Sequence, residues 1–245
     1  MTRTWTKTYP TPAHAQTAAA HYDWIRDVGH LHVPDLLHRD GRRLVFTHVP
    51  ARHATPTDLP DLADVLARFH TAAHKHLAGA PTSQPHTTAR GLTIPGFRDH
   101  REQRLLDLLA APPPPDTPLT GDGVRAWIRD SDGLPAAVYK DANVRNFLLT
   151  DASAPVAVDF DVLTLAPLGY DLAKLAVTAT MTYGPLDSAL IAKALDRYNT
   201  LLAETGLPGC TRAQFTAWTQ MHHVLTSPYL GCNGYRHSWR VKTTW

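Results

Sequence analysis

Cysteine is nearly absent from this chain: Cys210 and Cys232 are the only two among 245 residues. Two are too few for the disulfide framework of a small secreted domain, and the opening Met1 to Lys7 lacks the apolar stretch of a signal peptide. A reduced, cytoplasmic location is therefore expected. Long apolar runs are missing as well, none approaching the roughly 18 residues of a membrane-spanning helix, so no membrane partner is expected. Nor is charge of one sign in excess, since 24 Lys and Arg stand against 22 Asp and Glu for a formal net charge of +2. That balance gives no electrostatic footprint for a nucleic-acid backbone or an anionic surface. Function has to be argued from a site.

What is present is a chain long enough to bury a full core, 43% apolar, as one large domain or two small lobes. Its 20 prolines and 14 glycines enforce many turns. Thr4 to Tyr9 alternates as a strand, and Ala13 to Val28 predicts a helix entered at Thr11, with Pro12 in its first turn and Gly29 near its end. Two apolar runs, Val33 to Leu37 and Arg43 to Val49, flank the turn signal Asp40-Gly41 and predict a hairpin. From Asp58 onward Leu59, Leu62, Val65, Leu66, Phe69 and Ala73 recur three and four apart, as one face of a helix does. The rest reads as mainly helical: Val124 to Arg129, Leu172 to Thr182, Leu186 to Thr205 and Arg212 to Leu225, with Gly184, Gly206 and Gly231 as breaks. The proline run Pro112 to Pro115 cannot lie inside a helix and marks a rigid connector.

The chemistry concentrates between Ala136 and Asp161. Two apolar runs, Phe147 to Leu149 and Val156 to Val158, are separated by the turn-prone Asp151 to Ala154 and predict a second hairpin. A register symmetric about that turn puts Asn146 opposite Asp159, because cross-strand partners share a constant index sum. An amide oxygen and a carboxylate at the open end of a hairpin suit Mg²⁺, which takes hard oxygen ligands and completes its shell with water and substrate phosphates. Asp141, on the adjoining loop, is placed to orient or deprotonate an attacking hydroxyl. Asp161 serves either as a ligand to a second metal or, equally, as an exposed or helix-capping carboxylate.

The spacing Asp141-x-x-x-x-Asn146, followed by Asp159 in an apolar strand, resembles the catalytic and metal-binding segments of the aminoglycoside phosphotransferase and choline kinase group. Tyr170-Asp171-Leu172-Ala173 is similar to the stretch that follows in that group. Leu66 to His70 is similar to a family helix ending in Leu-His, and Val33 to Leu36 with Leu44 to Pro50 is similar to the strands leading to its hinge. The resemblance implies an α+β, protein-kinase-like two-lobed fold. Residues 1–50 would be a truncated N-lobe of a small sheet plus one helix, and residues 51–245 a mainly helical C-lobe carrying the catalytic hairpin, with ATP between them. It further implies Asp141 as catalytic base, Asn146 and Asp159 as Mg²⁺ ligands, Asp171 as a structural carboxylate, and Lys7 as the strand lysine on the α and β phosphates. Thr47, His48 and Val49 would be the hinge whose backbone meets adenine.

The sequence departs from the group's pattern in four places. It begins almost at Lys7, without the two strands and Gly-rich loop that cover the phosphates. No acidic residue precedes Asp23, so Gln16 is the nearest polar candidate for the helix glutamate that pairs with the lysine. Tyr139-Lys140-Asp141 replaces His-Gly-Asp or His-Arg-Asp, and Arg145 stands where Gly is common. Lys140 and Arg145, one on each side of the site, are expected to contact phosphate oxygens and offset the missing loop.

The expected reaction is transfer of the ATP γ-phosphoryl group to a hydroxyl of a small molecule of antibiotic, sugar or amino-alcohol type. A basic C-terminal stretch with Arg236, His237, Arg240 and Lys242 disfavours a polycationic acceptor. Two alternatives stand beside this: a Ser/Thr peptide kinase of natural-product maturation, with a partner protein completing the N-lobe, and a non-catalytic pseudokinase-like binding module. Among the histidines, His70 and His74 share a helix face, but no third ligand follows at metal spacing and a polar helix edge is preferred to zinc. His222, His223, Tyr235 and His237 are expected near the acceptor pocket, and Trp218, Trp239 and Tyr229 in the packing.

Overall fold

The computed structural model describes residues 3–29, 31–99, 101–150 and 155–239. Near the N-terminus β1 (Thr4–Thr8), α1 (Pro12–Gly29), β2 (Leu36–Asp40) and β3 (Arg43–Thr47) form an antiparallel sheet in the order β1-β3-β2 with one helix against it. The helix turns Ala15, Ala18, Ala19, Tyr22 and Ile25 inward at spacings of three, one, three and three. The Tyr22 ring meets Phe46 of β3 edge-on at 5.5 Å. The strand expected over Val33 to Leu37 lies later, at 36–40. Asp40 pairs directly with Arg43, so the strands run right up to a two-residue turn, and Gly41 takes the left-handed φ of +53° that such a turn requires. A bulge between Leu36 and His38 absorbs the offset.

Beyond it come β4 (Arg52–His53), α2 (Leu59–Leu77), β5 (His86–Thr87), β6 (Thr93–Ile94), α3 (Glu102–Ala110) and α4 (Gly121–Asp130). They are followed by β7 (Ala136–Tyr139), β8 (Phe147–Leu149), β9 (Val156–Ala157), β10 (Thr164–Pro167), α5 (Tyr170–Tyr183), α6 (Ser188–Ala203) and α7 (Arg212–Thr226). The mainly helical expectation holds. Leu59, Leu62, Leu66, Phe69 and Ala73 are all buried on one face of α2, each large apolar side chain worth about 1.5–3 kcal/mol. Val65 sits on the shoulder of that face. The proline connector separates α3 from α4.

The expected hairpin β8-β9 gains β4 at its edge, and β4, the pair β5-β6 and the antiparallel pair β7-β10 escape the sequence pattern. Every residue of β7 and β10 is buried, so neither strand shows an alternation that sequence could reveal. Behind β7 the Arg101 guanidinium lies 4.6, 4.7 and 4.9 Å from the rings of Phe97, Tyr139 and Tyr170 and donates to the Thr164 hydroxyl at 2.7 Å. This buried cation braces Tyr139 from the rear. Between β10 and α5, Gly169 has φ +83°, and a Cβ there would lie 2.5 Å from the Cys210 sulfur. The turn that aims α5 thus needs glycine.

The N-terminal part rests on the β8-β9 hairpin. Ala157 N–H donates to the His32 carbonyl at 2.8 Å, and a His21 ring nitrogen lies 3.0 Å from the Phe160 carbonyl. None of the described helices is long and apolar enough to cross a membrane.

Candidate active site

The loop after β7 is held from below by one carboxylate. Asp171, in the first turn of α5 and 1% exposed, accepts from Lys140 N–H at 3.1 Å through Oδ2 and from Ala142 N–H at 2.9 Å through Oδ1. Asp141, between those two amides, has φ +63°, a left-handed conformation uncommon outside glycine that surrounding contacts must maintain. The turn lifts its carboxylate toward a cavity. Tyr139 O–H donates to Asp141 Oδ1 at 2.6 Å, and Lys174 Nζ stands 3.4 Å from the same oxygen. Oδ2 is thereby the oxygen without a partner among the described residues. Burial opposes ionisation of Asp141, but the Lys174 charge, the Tyr139 hydrogen bond and Lys140 outweigh it and hold the carboxyl below its ordinary range. Lys174 was not foreseen, although it lies one helical turn beyond Asp171 on α5, and the face that points Asp171 at the loop also points Lys174 there. Tyr139, two residues before Asp141, gave a similar period-two signal.

The hairpin forms, with a register one residue from that expected. Phe147 pairs with Ala157 and Leu148 with Val156, so Asn146 faces Val158, whose N–H donates to the Asn146 carbonyl at 2.9 Å. The turn Asp151 to Ala154 lies outside the described residues. Asp159 is the next residue along, and it reaches the Asn146 side of the hairpin because its φ of +66° breaks the strand's pleat. Asn146 Nδ2 donates to the Asp141 carbonyl at 3.1 Å, which leaves the amide oxygen for other partners. One neutral and one anionic hard oxygen donor therefore line the same cavity, and that donor set fits Mg²⁺ with substrate phosphates and water completing its shell.

Two cavities share Arg145, Asn146 and Asp159. One, about 510 Å³, runs under the N-terminal sheet between Lys7, Thr47, His48 and Val49 and the apolar Leu148 and Val158. The other, about 680 Å³, has Asp141 and Lys174 on one side and Tyr229, Tyr235 and Leu225 on the other. In the first, Thr47 N–H and His48 N–H are already given to the Asp35 and Arg3 carbonyls, and Val49 N–H has no acceptor among the described residues.

Of the cations expected at the site, Lys7 and Arg145 reach it and Lys140 does not. Lys7 Nζ lies 2.8 Å from Asp159 and 2.7 Å from Asp161. Burial disfavours its charge, yet those carboxylates hold its pKa above the ordinary value. Gln16, the expected partner of Lys7, is exposed and takes no part in that contact. Asp161 does not line either cavity that Asn146 and Asp159 share; it lines a separate one beside α1. Arg145 donates to the Asn233 carbonyl and lies 5.0 Å from the Tyr235 ring. Lys140 is wholly buried, its Nζ 4.9 and 5.6 Å from the Phe147 and Phe160 rings with no hydrogen-bond acceptor among the described residues. The pleat of β7 carries it to the side opposite Tyr139 and Asp141, so it cannot meet phosphate.

Burial lowers the Lys140 pKa, with Asp171, Asp141 and Asp159 pulling it only part of the way back. Between that lowered value and 10.5 the unfolded chain binds more protons than the folded one, so stability rises with pH through this window. Lys140→Met keeps the volume and removes the unpaired ammonium. It is expected to raise unfolding stability by about 1–3 kcal/mol near neutral pH and to flatten that slope. Urea melts at several pH values check this, and a variant less stable than the wild type would refute it.

His70, His74 and His222 pack rather than line the site. His70 is not at a polar helix edge but fully buried, its Nδ1 2.7 Å from Tyr198 O–H, while His74 Nδ1 lies 2.9 Å from the Ala136 carbonyl. His222 is buried against the Tyr139 and Tyr170 rings and is not part of the cavity wall. Trp218 and Trp239 pack inside, whereas Tyr229 is 45% exposed and lines the larger cavity. Arg240 and Lys242 lie outside the described residues.

No curated protein matches the chain in sequence. Among solved structures, macrolide 2'-phosphotransferase MphH from Brachybacterium faecium is similar over 93% of this chain and 77% of its own, at 16% identity and a TM-score of 0.60. Choline kinase LicA from Streptococcus pneumoniae is similar over 92% and 76%, at 14% and 0.60. An aminoglycoside-3'-phosphotransferase of type VIII is similar over 90% and 84%, at 18% and 0.56. At these identities the likeness is one of fold, a kinase-like α+β architecture with a reduced N-terminal lobe. In sequence, the phosphotransferase enzyme family matches residues 6–209, which include Lys7, the Asp141 loop, the hairpin and the whole of α5 with Asp171 and Lys174. The chain therefore belongs to the phosphotransferase enzyme family.

Proposed function

We propose that this chain transfers the γ-phosphoryl group of ATP to a hydroxyl of a small molecule, with Asp141 as the base. The observation that carries this is the Asp141 carboxylate, one oxygen fixed by Tyr139 and Lys174 and the other free, in a cavity shared with Asn146 and Asp159. A hydroxyl in the larger cavity would hydrogen-bond to Oδ2 and so be aimed in line with the phosphoryl group. Asn146 and Asp159 would hold Mg²⁺, which when bound supplies charge neutralisation for the phosphates. Residues 1–50 would contact the nucleotide, with Lys7 on its phosphates and the free Val49 N–H meeting the adenine edge, and residues 51–245 would carry the acceptor. Arg145, on the wall of both cavities, would meet phosphate oxygens at the junction. The free thiols of Cys210 and Cys232 suit the cytoplasm.

The acceptor is neutral or acidic. Both carboxylates of the larger cavity, Asp141 and Asp159, already face Lys174 and Lys7, so among the described residues none is spare for a polycation. The choline kinase and macrolide phosphotransferase of similar fold support a small-molecule acceptor. The test is Mg²⁺-dependent ATP consumption across hydroxylated metabolites, antibiotics and Ser/Thr peptides, with Asp141→Asn as the blank. Turnover with peptides alone would replace the small-molecule reading, and the absence of metal-dependent ATP binding would end it. Lys174→Met removes the main charge holding Asp141 ionised, so the acid limb of the kcat/KM profile should move to higher pH. A limb that stays in place would detach Lys174 from the reaction.

A further inference from the structure

Lys7 has two carboxylates, and their surroundings differ. Asp161 gives both oxygens to the β1 segment and the residue just after it: Oδ2 lies 2.7 Å from Lys7 Nζ, and Oδ1 accepts from Tyr9 O–H at 3.0 Å. Asp159 gives Lys7 only Oδ1 and also lines both cavities with Asn146. Asp161 faces instead a cavity of about 380 Å³ with Tyr9, Ala13, His14 and Thr17. The helix beside Lys7 offers no substitute. Asp23 of α1 faces Arg26 and Arg39, and Asp27 faces Arg26 and Arg90. Lys7 on β1 and Tyr9 just after it therefore meet Asp159 and Asp161, two residues apart after the hairpin, through their side chains.

We propose that Asp161, braced by Tyr9, is the positioning carboxylate for Lys7, supplied by the hairpin segment where other architectures draw on the helix, while Asp159 is left to the cation. This rests on the phosphotransferase reading. Once a cation occupies Asp159, Asp161 alone keeps the ammonium at the edge of the nucleotide cavity, where Lys7 lines the wall. The salt bridge then crosses from the N-terminal sheet to the hairpin, and it makes the phosphate-contacting strand and the metal-holding hairpin a single unit.

Two measurements test it. In the absence of nucleotide, a double-mutant cycle of Lys7→Met and Asp161→Asn in urea should show coupling between the two residues, and additive effects would overturn the pairing. With nucleotide, Asp161→Asn should raise the ATP KM and the calorimetric Kd about tenfold or more with the Mg²⁺ half-saturation unchanged, and Asp161→Glu should restore part of the affinity. Asp159→Asn should instead raise the Mg²⁺ requirement. A Mg²⁺ shift in Asp161→Asn equal to that in Asp159→Asn would make Asp161 a metal ligand and overturn the proposal. So would wild-type ATP affinity in Asp161→Asn. Failure of the wild type itself to bind ATP with Mg²⁺ would sink the phosphotransferase reading and this one with it.

Discussion

Asp141→Asn is expected to lower kcat for phosphoryl transfer by about 10²–10⁴-fold while ATP binding survives. Asparagine keeps the volume and is among the few residues that tolerate the left-handed φ of +63° found here, so the loop should not collapse. Its amide oxygen can still accept from Tyr139 O–H, as Oδ1 does at 2.6 Å. What is lost is the second oxygen, replaced by an NH₂ group that donates a hydrogen bond and cannot take a proton. Asn146 and Asp159 are untouched, so calorimetry with ATP and Mg²⁺ should give an affinity near that of the wild type. Single-turnover transfer separates the two effects: an Asp141→Asn rate within threefold of the wild type would remove Asp141 as base.

The spaced residues of the site were legible because they sit on elements that announce themselves. Asp171 lies in the first turn of an apolar helix, and Asn146 comes just before an apolar strand run, so each could be located from pattern alone. What the pattern did not carry was the local backbone. The positive φ of Asp159 breaks the pleat of its strand and that of Asp141 bends the loop after β7, and no apolar period encodes either turn. Two further misses have plainer causes. A count symmetric about the turn gives a register one residue out, because Phe147 pairs with Ala157, and a loop-like view of Tyr139-Lys140-Asp141 puts Lys140 at the phosphates when the pleat of β7 carries it to the Phe147 and Phe160 rings. Charge composition misled differently. A lysine next to Asp141 reads as functional, because a wholly buried lysine is a rare outcome. Lys174 was missed for the opposite reason, since a lysine amid the apolar α5 looks like a solvated charge until the helix face is counted from Asp171.

The deepest structural consequence falls on that same helix. Asp171→Ala should destabilise the fold by about 3–5 kcal/mol and, in whatever fraction remains folded, reduce kcat by about 10²-fold, the effect of a small misplacement of a reacting group. Lys140 and Ala142 are both 0% exposed, so removing their shared acceptor leaves two buried amides unpaired at about 1–3 kcal/mol each. Loss of the Asp171 charge also deprives the Lys140 ammonium of the first of the carboxylates that sustain it. The left-handed turn at Asp141 then has nothing clamping the residues on either side of it, and its relaxation would swing the carboxylate away from Tyr139 and Lys174. Asp171→Asn offers an internal control, because it retains one acceptor oxygen while turning a donor toward the other amide, and its loss of stability should be substantial but smaller. Urea unfolding of both variants, with kcat measured on the folded fraction, decides the matter. An alanine variant within 1 kcal/mol of the wild type would mean that the loop holds its shape without Asp171, and the strained Asp141 conformation would need another source of support.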